Sequence, residues 1–219
     1  MILVAAGSGV RLGRPEPKAF VPLRGRPLLS WTLETLSTIP FAGRVIAAPP
    51  ERLEEARRLA GEGKVVAGGA TRAESVRRAF EAAGVAGDNV IVVHDAARPF
   101  VTPSEVRAVI RAAEETGAAI AAIPIPDTVK SVERGLVTGT LDRSKLWLAG
   151  TPQAFRGHIL ARALEANREA TDEAALCEEL GFPVTAVPVS RFGFKITAPE
   201  DLEVAEAILA RRQAEGGGR

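Results

Sequence analysis

Short apolar runs alternate with amphipathic stretches along most of this chain. The runs Ile2–Ala5, Arg44–Ala48, Lys64–Ala67, Asn89–His94, Ala118–Ile123 and Val184–Pro188 have the length and content of buried strands. Between them the helical period predicts helices at Leu28–Ser37, Glu51–Ala60, Arg72–Ala83 and Ser104–Thr116, with another at Ala174–Leu180. In Ser104–Thr116 the period sets Val106, Val109, Ile110 and Ala113 on one face. Its start is marked by Thr102 as cap, Pro103 in the first turn and Glu105 closing a capping box. Thr197, Pro199 and Glu200 repeat that device before a last helix that buries Leu202, Ala205, Ile208 and Leu209, and the glycine-rich tail Ala214–Arg219 is expected to be disordered. Strands alternating with helices predict an α/β fold, a mostly parallel sheet flanked by helices.

One region breaks the alternation. Thr128–Glu133 and Leu136–Leu141, joined by Arg134 and Gly135, read as a hairpin within residues 126–147. A two-stranded hairpin is marginal in isolation, so it must pack on something. It either folds back on its own domain or projects; because Val129, Val132, Leu136, Val137 and Leu141 carry apolar area that the main sheet does not claim, the expectation is a projecting arm that embraces a second copy of the chain.

Length and charge then narrow the function. At 219 residues the chain fits a single domain, 1–219, with 126–147 as its appendage. With 28 basic against 27 acidic residues it carries no general attraction for nucleic acid or a membrane surface. No apolar stretch reaches the length of a membrane span and no basic segment precedes the first strand, so a cytoplasmic location is expected. The single cysteine, Cys177, cannot form an intramolecular disulfide or build a cysteine metal site, and reads as a buried thiol.

The richest chemistry lies at the start. The strand Ile2–Ala5 empties into Gly7, Ser8, Gly9 and Gly13, with Arg11 and Lys18 flanking. Such a run exposes successive backbone N–H groups, a natural seat for phosphate, although an ordinary tight turn shares the spacing. Pro15 and Pro17 prevent the helix that a dinucleotide fold would start here, and no Gly-Lys-Ser/Thr follows to make a Walker loop, so a long loop around a polyphosphate is predicted. Asp95 ends another strand on the same sheet edge, where it can serve as a Mg²⁺ ligand or simply cap the next turn. His94 has no partner for acid–base or zinc work and reads as structural. Gly68 and Gly69, with Ser75 one turn into the following helix, form either a base-binding turn or a plain strand-to-helix connection. Lys195, set in the apolar stretch Phe192–Thr197 read as a strand, is expected to face an anion, because a buried lysine without one is costly.

Taken together, Ala5-Ala6-Gly7-Ser8-Gly9-Val10-Arg11, Pro17-Lys18, Gly68-Gly69 with Arg72 and Ser75, His94-Asp95-Ala96-Ala97-Arg98-Pro99, Asp127-Thr128-Val129-Lys130, Asp142-Arg143, Thr151-Pro152-Gln153, Thr171-Asp172-Glu173-Ala174 and Lys195-Ile196-Thr197 resemble the 2-C-methyl-D-erythritol 4-phosphate cytidylyltransferase family. The resemblance runs from Ile2 to the last helix. It implies a Rossmann-like fold of the nucleotidyltransferase type, and an enzyme of non-mevalonate isoprenoid synthesis that joins CTP and methylerythritol phosphate and releases pyrophosphate. It further implies a homodimer and Mg²⁺, or another divalent cation, held by Asp95. Arg11, Lys18 and Lys195 would be catalytic, steadying the reacting phosphates. Ala5, Ala6, Gly7, Gly9, Gly69, Ala70 and Ser75 would surround the nucleotide. Asp95, Ala96, Arg98, Thr128, Arg143, Thr151 and Thr171 would bind substrate, with Thr128 and Arg143 reaching over from the other subunit. Val4, Ala70 and Gly193 depart from the family's usual residues, the last beside Lys195. Two alternatives stay open: a related transferase acting on another polyol phosphate such as ribitol 5-phosphate, and a non-catalytic nucleotide-binding protein.

Overall fold

The computed structural model describes residues 1–85, 87–166 and 170–216. The chain runs β1 (Ile2–Val4), β2 (Pro22–Leu23), β3 (Arg26–Pro27), α1 (Leu28–Ser37), β4 (Val45–Ala48), α2 (Leu53–Ala60), β5 (Lys64–Ala67), α3 (Arg72–Ala83) and β6 (Val90–Asp95). It continues through α4 (Pro103–Thr116), β7 (Ala118–Pro124), β8 (Val129–Glu133), β9 (Leu136–Leu141), β10 (Trp147–Arg156), α5 (Gly157–Glu165), α6 (Glu173–Glu179), β11 (Thr185–Pro188) and α7 (Pro199–Gly216). Seven strands form one sheet in the order β11-β7-β10-β6-β1-β4-β5. Only β10 among them runs antiparallel to its neighbours, pairing β6 on one side and β7 on the other.

Chain order fixes where a ligand can enter. From β1 the crossovers lead outward to β4 and β5, then return to place β6 on the other side of β1. The connections therefore diverge between β1 and β6, and a crevice opens beyond their carboxyl ends, where Val4 lies opposite Asp95. Both faces of the sheet are covered. Ile2, Val45, Val93 and Phe155 pack beneath Val76 of α3, Leu160 of α5 and Cys177 of α6. On the opposite face Leu3, Ile46 and Ala48 meet Leu29 and Leu33 of α1, Ala56 of α2 and Val106 of α4. Burial on both sides explains why these strands read as continuous apolar runs.

Most boundaries fall within a residue or two of expectation, and the differences have identifiable causes. Besides the two-residue strands β2 and β3, two longer elements go beyond the sequence expectation. β10 carries Pro152, a residue that argues against a central strand, and it bulges between Ala149 and Gln153. α5 follows it directly, and Ile159, Leu160, Ala163 and Leu164 set a helical period there that the sequence reading did not use. The stretch Phe192–Thr197 is not a strand: a 3-10 turn at Arg191–Gly193, capped by Ser190, leaves Phe192 exposed, and the Ile196 N–H donates to the Ala97 carbonyl without a strand ladder forming. The start of α7 is held by Asp201 rather than Glu200, since the Asp201 carboxylate accepts from the N–H groups of Thr197 (2.7 Å) and Ala198 (2.8 Å). Good helix formers carry α7 through Ala214 to Gly216, so the tail expectation fails there, while 217–219 lie outside the described residues.

The hairpin forms as expected. β8 and β9 pair only with each other, through a turn in which Arg134 and Gly135 both take positive φ, as a two-residue type I′ turn requires. Val132, Leu136, Val137 and Leu141 stand exposed on it, and Trp147 and Leu148 extend the apolar surface into β10. Among the described residues no helix is long and apolar enough to cross a membrane.

The capping box at α4 is complete, with the Thr102 hydroxyl accepting from the Glu105 N–H and the Glu105 carboxylate accepting from the Thr102 N–H. Replacing Thr102 by Ala is expected to destabilise the protein by about 1 kcal/mol. Urea unfolding with an unchanged m-value would show this, and a wild-type midpoint would contradict it.

Candidate active site

A cavity of about 350 Å³ occupies the crevice beyond β1 and β6. The glycine loop forms one wall. It contains two 3-10 turns, Val10–Leu12 and Lys18–Phe20, and no α-helix, as the prolines demand. The loop closes on itself where the Lys18 N–H donates to the Gly7 carbonyl at 3.0 Å. Gly9 sits in that crossing with φ of 71°; a Cβ there would come within 3.0 Å of the Lys18 nitrogen, so both conformation and space call for glycine.

The opposite wall comes from the β5–α3 turn. Gly68 lies against the first loop so closely that an added Cβ would stand 2.3 Å from Cβ of Ala6. Thr71 caps α3, and the Glu74 carboxylate accepts from the Ala70 N–H at 2.7 Å. Ser75 is buried, with its hydroxyl accepting from the Gly69 N–H (3.0 Å) and donating to the Thr71 carbonyl (2.9 Å). Its hydroxyl thereby shapes the turn at the cavity wall.

Between the walls lies Asp95, buried at the end of β6. Its Oδ2 meets the Lys195 ammonium at 2.8 Å, its Oδ1 meets Nε of Arg72 at 3.2 Å, and Nε of Arg98 stands 3.8 Å from Oδ2. Burial works against the carboxylate, but Arg72, Lys195 and Arg98 outweigh it and hold the pKa well below the usual carboxylate range. Asp95 is thus an ion-pair centre and not a turn cap. The Thr151 hydroxyl supports it from β10, accepting from the Asp95 N–H at 3.0 Å.

Lys18 lines the same cavity as Lys195 and is itself almost buried. Its ammonium donates to the Thr197 hydroxyl at 3.4 Å, and that hydroxyl donates to the Lys195 carbonyl at 3.2 Å. Burial, with the positive charges of Lys195 and Arg11 nearby, lowers its pKa to about 8. Arg11 is exposed at the cavity rim. Gly193, the unusual residue beside Lys195, contributes only its carbonyl, which accepts from Nη1 of Arg98 at 3.0 Å, so the lysine is placed regardless of the missing side chain.

Of the residues singled out from the sequence, Ala6, Gly7, Gly9, Arg11, Lys18, Gly69, Ala70, Ser75, Asp95 and Lys195 line this one cavity. Ala5 and Ala96 lie buried behind it, tied by backbone bonds to Ala47 and Val4. Thr171 is exposed just before α6, and Thr128 and Arg143 lie beside the hairpin; none of the three is among the lining residues. His94 is structural: its Nε2–H donates to the Arg98 carbonyl, and burial lowers its pKa to about 4. The cavity also brings in Arg72, to which the sequence reading gave no role. A cation at the first position of a helix opposes the macrodipole and needs a carboxylate partner, which is the signal that could have marked it.

Among the described residues no three His, Cys, Asp or Glu side chains gather as a metal cage. The donor that would suit a divalent cation is the single ionised carboxylate of Asp95, whose two oxygens are engaged by Lys195 and Arg72, since Mg²⁺ commonly takes one or two carboxylates and completes its shell with phosphate oxygens and water.

Lys18 binds its proton less tightly in the folded chain than at the ordinary value of 10.5, so its burial weakens the fold at neutral pH and ceases to do so as pH rises from about 8 toward 10.5. Lys18→Met should therefore melt above the wild type at pH 7, with the gap closing by pH 10. A gap that does not change with pH would contradict this placement.

The model of the 2-C-methyl-D-erythritol 4-phosphate cytidylyltransferase family matches residues 1–211. A protein of that name from Syntrophus aciditrophicus is 40% identical, over 97% of this chain and 96% of its own. One from Frankia casuarinae is 44% identical, over 96% of this chain and 80% of its own. The crystal structure of the Thermus thermophilus enzyme of that name superposes with a TM-score of 0.81 at 38% identity, covering 96% of this chain and 98% of that one. With its glycine loop, buried aspartate and paired lysines in place, the chain belongs to the 2-C-methyl-D-erythritol 4-phosphate cytidylyltransferase family.

Proposed function

We propose that the chain joins CTP and 2-C-methyl-D-erythritol 4-phosphate, releasing pyrophosphate and forming the cytidine diphosphate ester of methylerythritol. The observation that carries this is the convergence of Arg11, Lys18, Lys195 and Asp95 on one cavity walled by two glycine turns. A phosphate oxygen of the acceptor attacks the α-phosphorus of CTP, and pyrophosphate leaves in line. The attacking phosphate is already ionised, so no general base or protein nucleophile is required. The barrier comes from bringing anions together and from charge growing on the leaving group, and fixed cations lower it. Lys18 and Arg11 neutralise the triphosphate from the loop side, and Lys195 does so from the Asp95 side. Asp95 would hold Mg²⁺, which when bound supplies further positive charge to the phosphate oxygens.

Thr128 and Arg143 fall outside this cavity while the hairpin beside them leaves its apolar side chains uncovered. Both facts support residues 126–147 as a dimerisation arm that carries the pair to a second subunit's site, within a single domain 1–219. Such a dimer should bury on the order of 1,200 Å² or more.

Pyrophosphate release, followed with each of the four nucleoside triphosphates crossed with methylerythritol phosphate, ribitol 5-phosphate and no acceptor, is expected only for CTP with methylerythritol phosphate. Release with ribitol phosphate instead would overturn the acceptor assignment. Lys18→Met and Arg11→Met should each lower kcat roughly a hundredfold to a thousandfold while the far-UV dichroism is retained. Near-wild-type turnover by either would remove that residue from the mechanism. Mixing inactive Lys18→Met and Arg143→Ala proteins should restore part of the activity through hybrid dimers, and no recovery after demonstrated subunit exchange would count against a shared site.

A further inference from the structure

Glu173 is the first residue of α6 and is only 1% exposed. Both its carboxylate oxygens accept from Nη1 of Arg72, at 2.7 and 2.8 Å. Arg72 in turn gives its Nε to Oδ1 of Asp95, whose Oδ2 holds Lys195. Four alternating charges thus run from the base of α6 to the cavity. A guanidinium is planar, so anchoring one end of Arg72 fixes the direction of its Nε–H. With that edge fixed, Oδ1 of Asp95 is pinned and Oδ2 is left facing the lysine. Buried ion pairs contribute little net stability compared with apolar residues of the same volume. Stability is therefore a weak account of Glu173, and orientation is a better one.

The helix start does not need Glu173. Asp172 caps α6 by accepting from the Ala175 N–H at 3.0 Å. Asp172 also accepts from the side-chain amide of Gln153 at 2.8 Å, and Gln153 accepts in turn from the Ala174 N–H. The segment is thus tied to β10 independently of the carboxylate that follows it.

We propose that Glu173 is a positioning residue for the transfer reaction, setting the Asp95 carboxylate and the Lys195 docked on it through Arg72. This rests on the reading of the cavity as the site of CTP. Glu173→Gln keeps the side-chain shape and the helix cap but removes the charge that holds Arg72. It should lose roughly tenfold to hundredfold in kcat, with KM for CTP changing much less than kcat. In an Arg72→Met background the same substitution should cost almost nothing further, because its effect passes through the arginine. A protein in which Glu173 served only the fold would show a lower Tm and an unchanged kcat at 25 °C, and that result overturns the inference. So does a Glu173→Gln loss that persists undiminished without Arg72. Should Glu173→Gln fail to fold, Arg72→Met/Glu173→Leu replaces the pair by apolar residues without leaving a buried charge. It is expected to fall in kcat as far as Arg72→Met does, and wild-type kcat in that variant refutes the assignment. Absence of pyrophosphate release by the wild type would instead count against the underlying reading, so the two failures are told apart.

Discussion

Asp95 ends a central strand with its carboxylate shut away from water, and that position imposes a condition on every segment around it. An unpaired buried charge costs several kcal/mol, so cations must come to it from wherever the chain can supply them. They come from three places: Arg72 at the start of α3, Arg98 three residues on in the turn after β6, and Lys195 on the approach to α7. The carboxylate thereby gathers more positive charge than it can neutralise. Lys18 and Arg11 then add to a positive excess suited to an incoming anion, and burial first, with the nearby charges of Lys195 and Arg11, lowers the Lys18 pKa to about 8.

Three of the segments that carry these charges, those of Arg11, Arg98 and Lys195, share one apolar support. Leu12 from the glycine loop, Phe100 from the segment after β6 and Ile196 next to Lys195 pack in one cluster with Leu23, Leu28, Leu202 and Leu209. Each loop therefore has a polar side turned to the cavity and an apolar residue seated in the same small core. Fixing them together keeps the cations at their stations before any ligand arrives, so little reorganisation is left for the moment of reaction.

Much of this was legible in the residues. The parallel strands announced themselves because burial on both faces makes them apolar throughout, and α4 did so because its cap and its period agree. The glycine loop, Lys18 and Asp95 were legible because strand ends on one sheet edge share a ligand site. What could not be read is what depends on distant partners. β10 is stabilised by neighbours on both sides and needs no alternation of its own, so Pro152 hid it. The role of Arg72 depends on Glu173, 101 positions away, and no local pattern joins them. The start of α7 is ambiguous in the residues for a related reason: two carboxylates, Glu200 and Asp201, are both within reach of the cap, and only the backbone path decides between them.

Cys177 is sealed beneath the sheet, and burial pushes its thiol up to about 12. Alkylating reagents attack the thiolate, so the natural sulfur is silent toward them at neutral pH. A cysteine introduced at a polar position of the hairpin, for example in place of the exposed Thr138, would be the one reactive thiol in the chain and would accept a fluorophore or spin label without any background to remove. The fold thus arrives already suited to spectroscopy of its own hairpin.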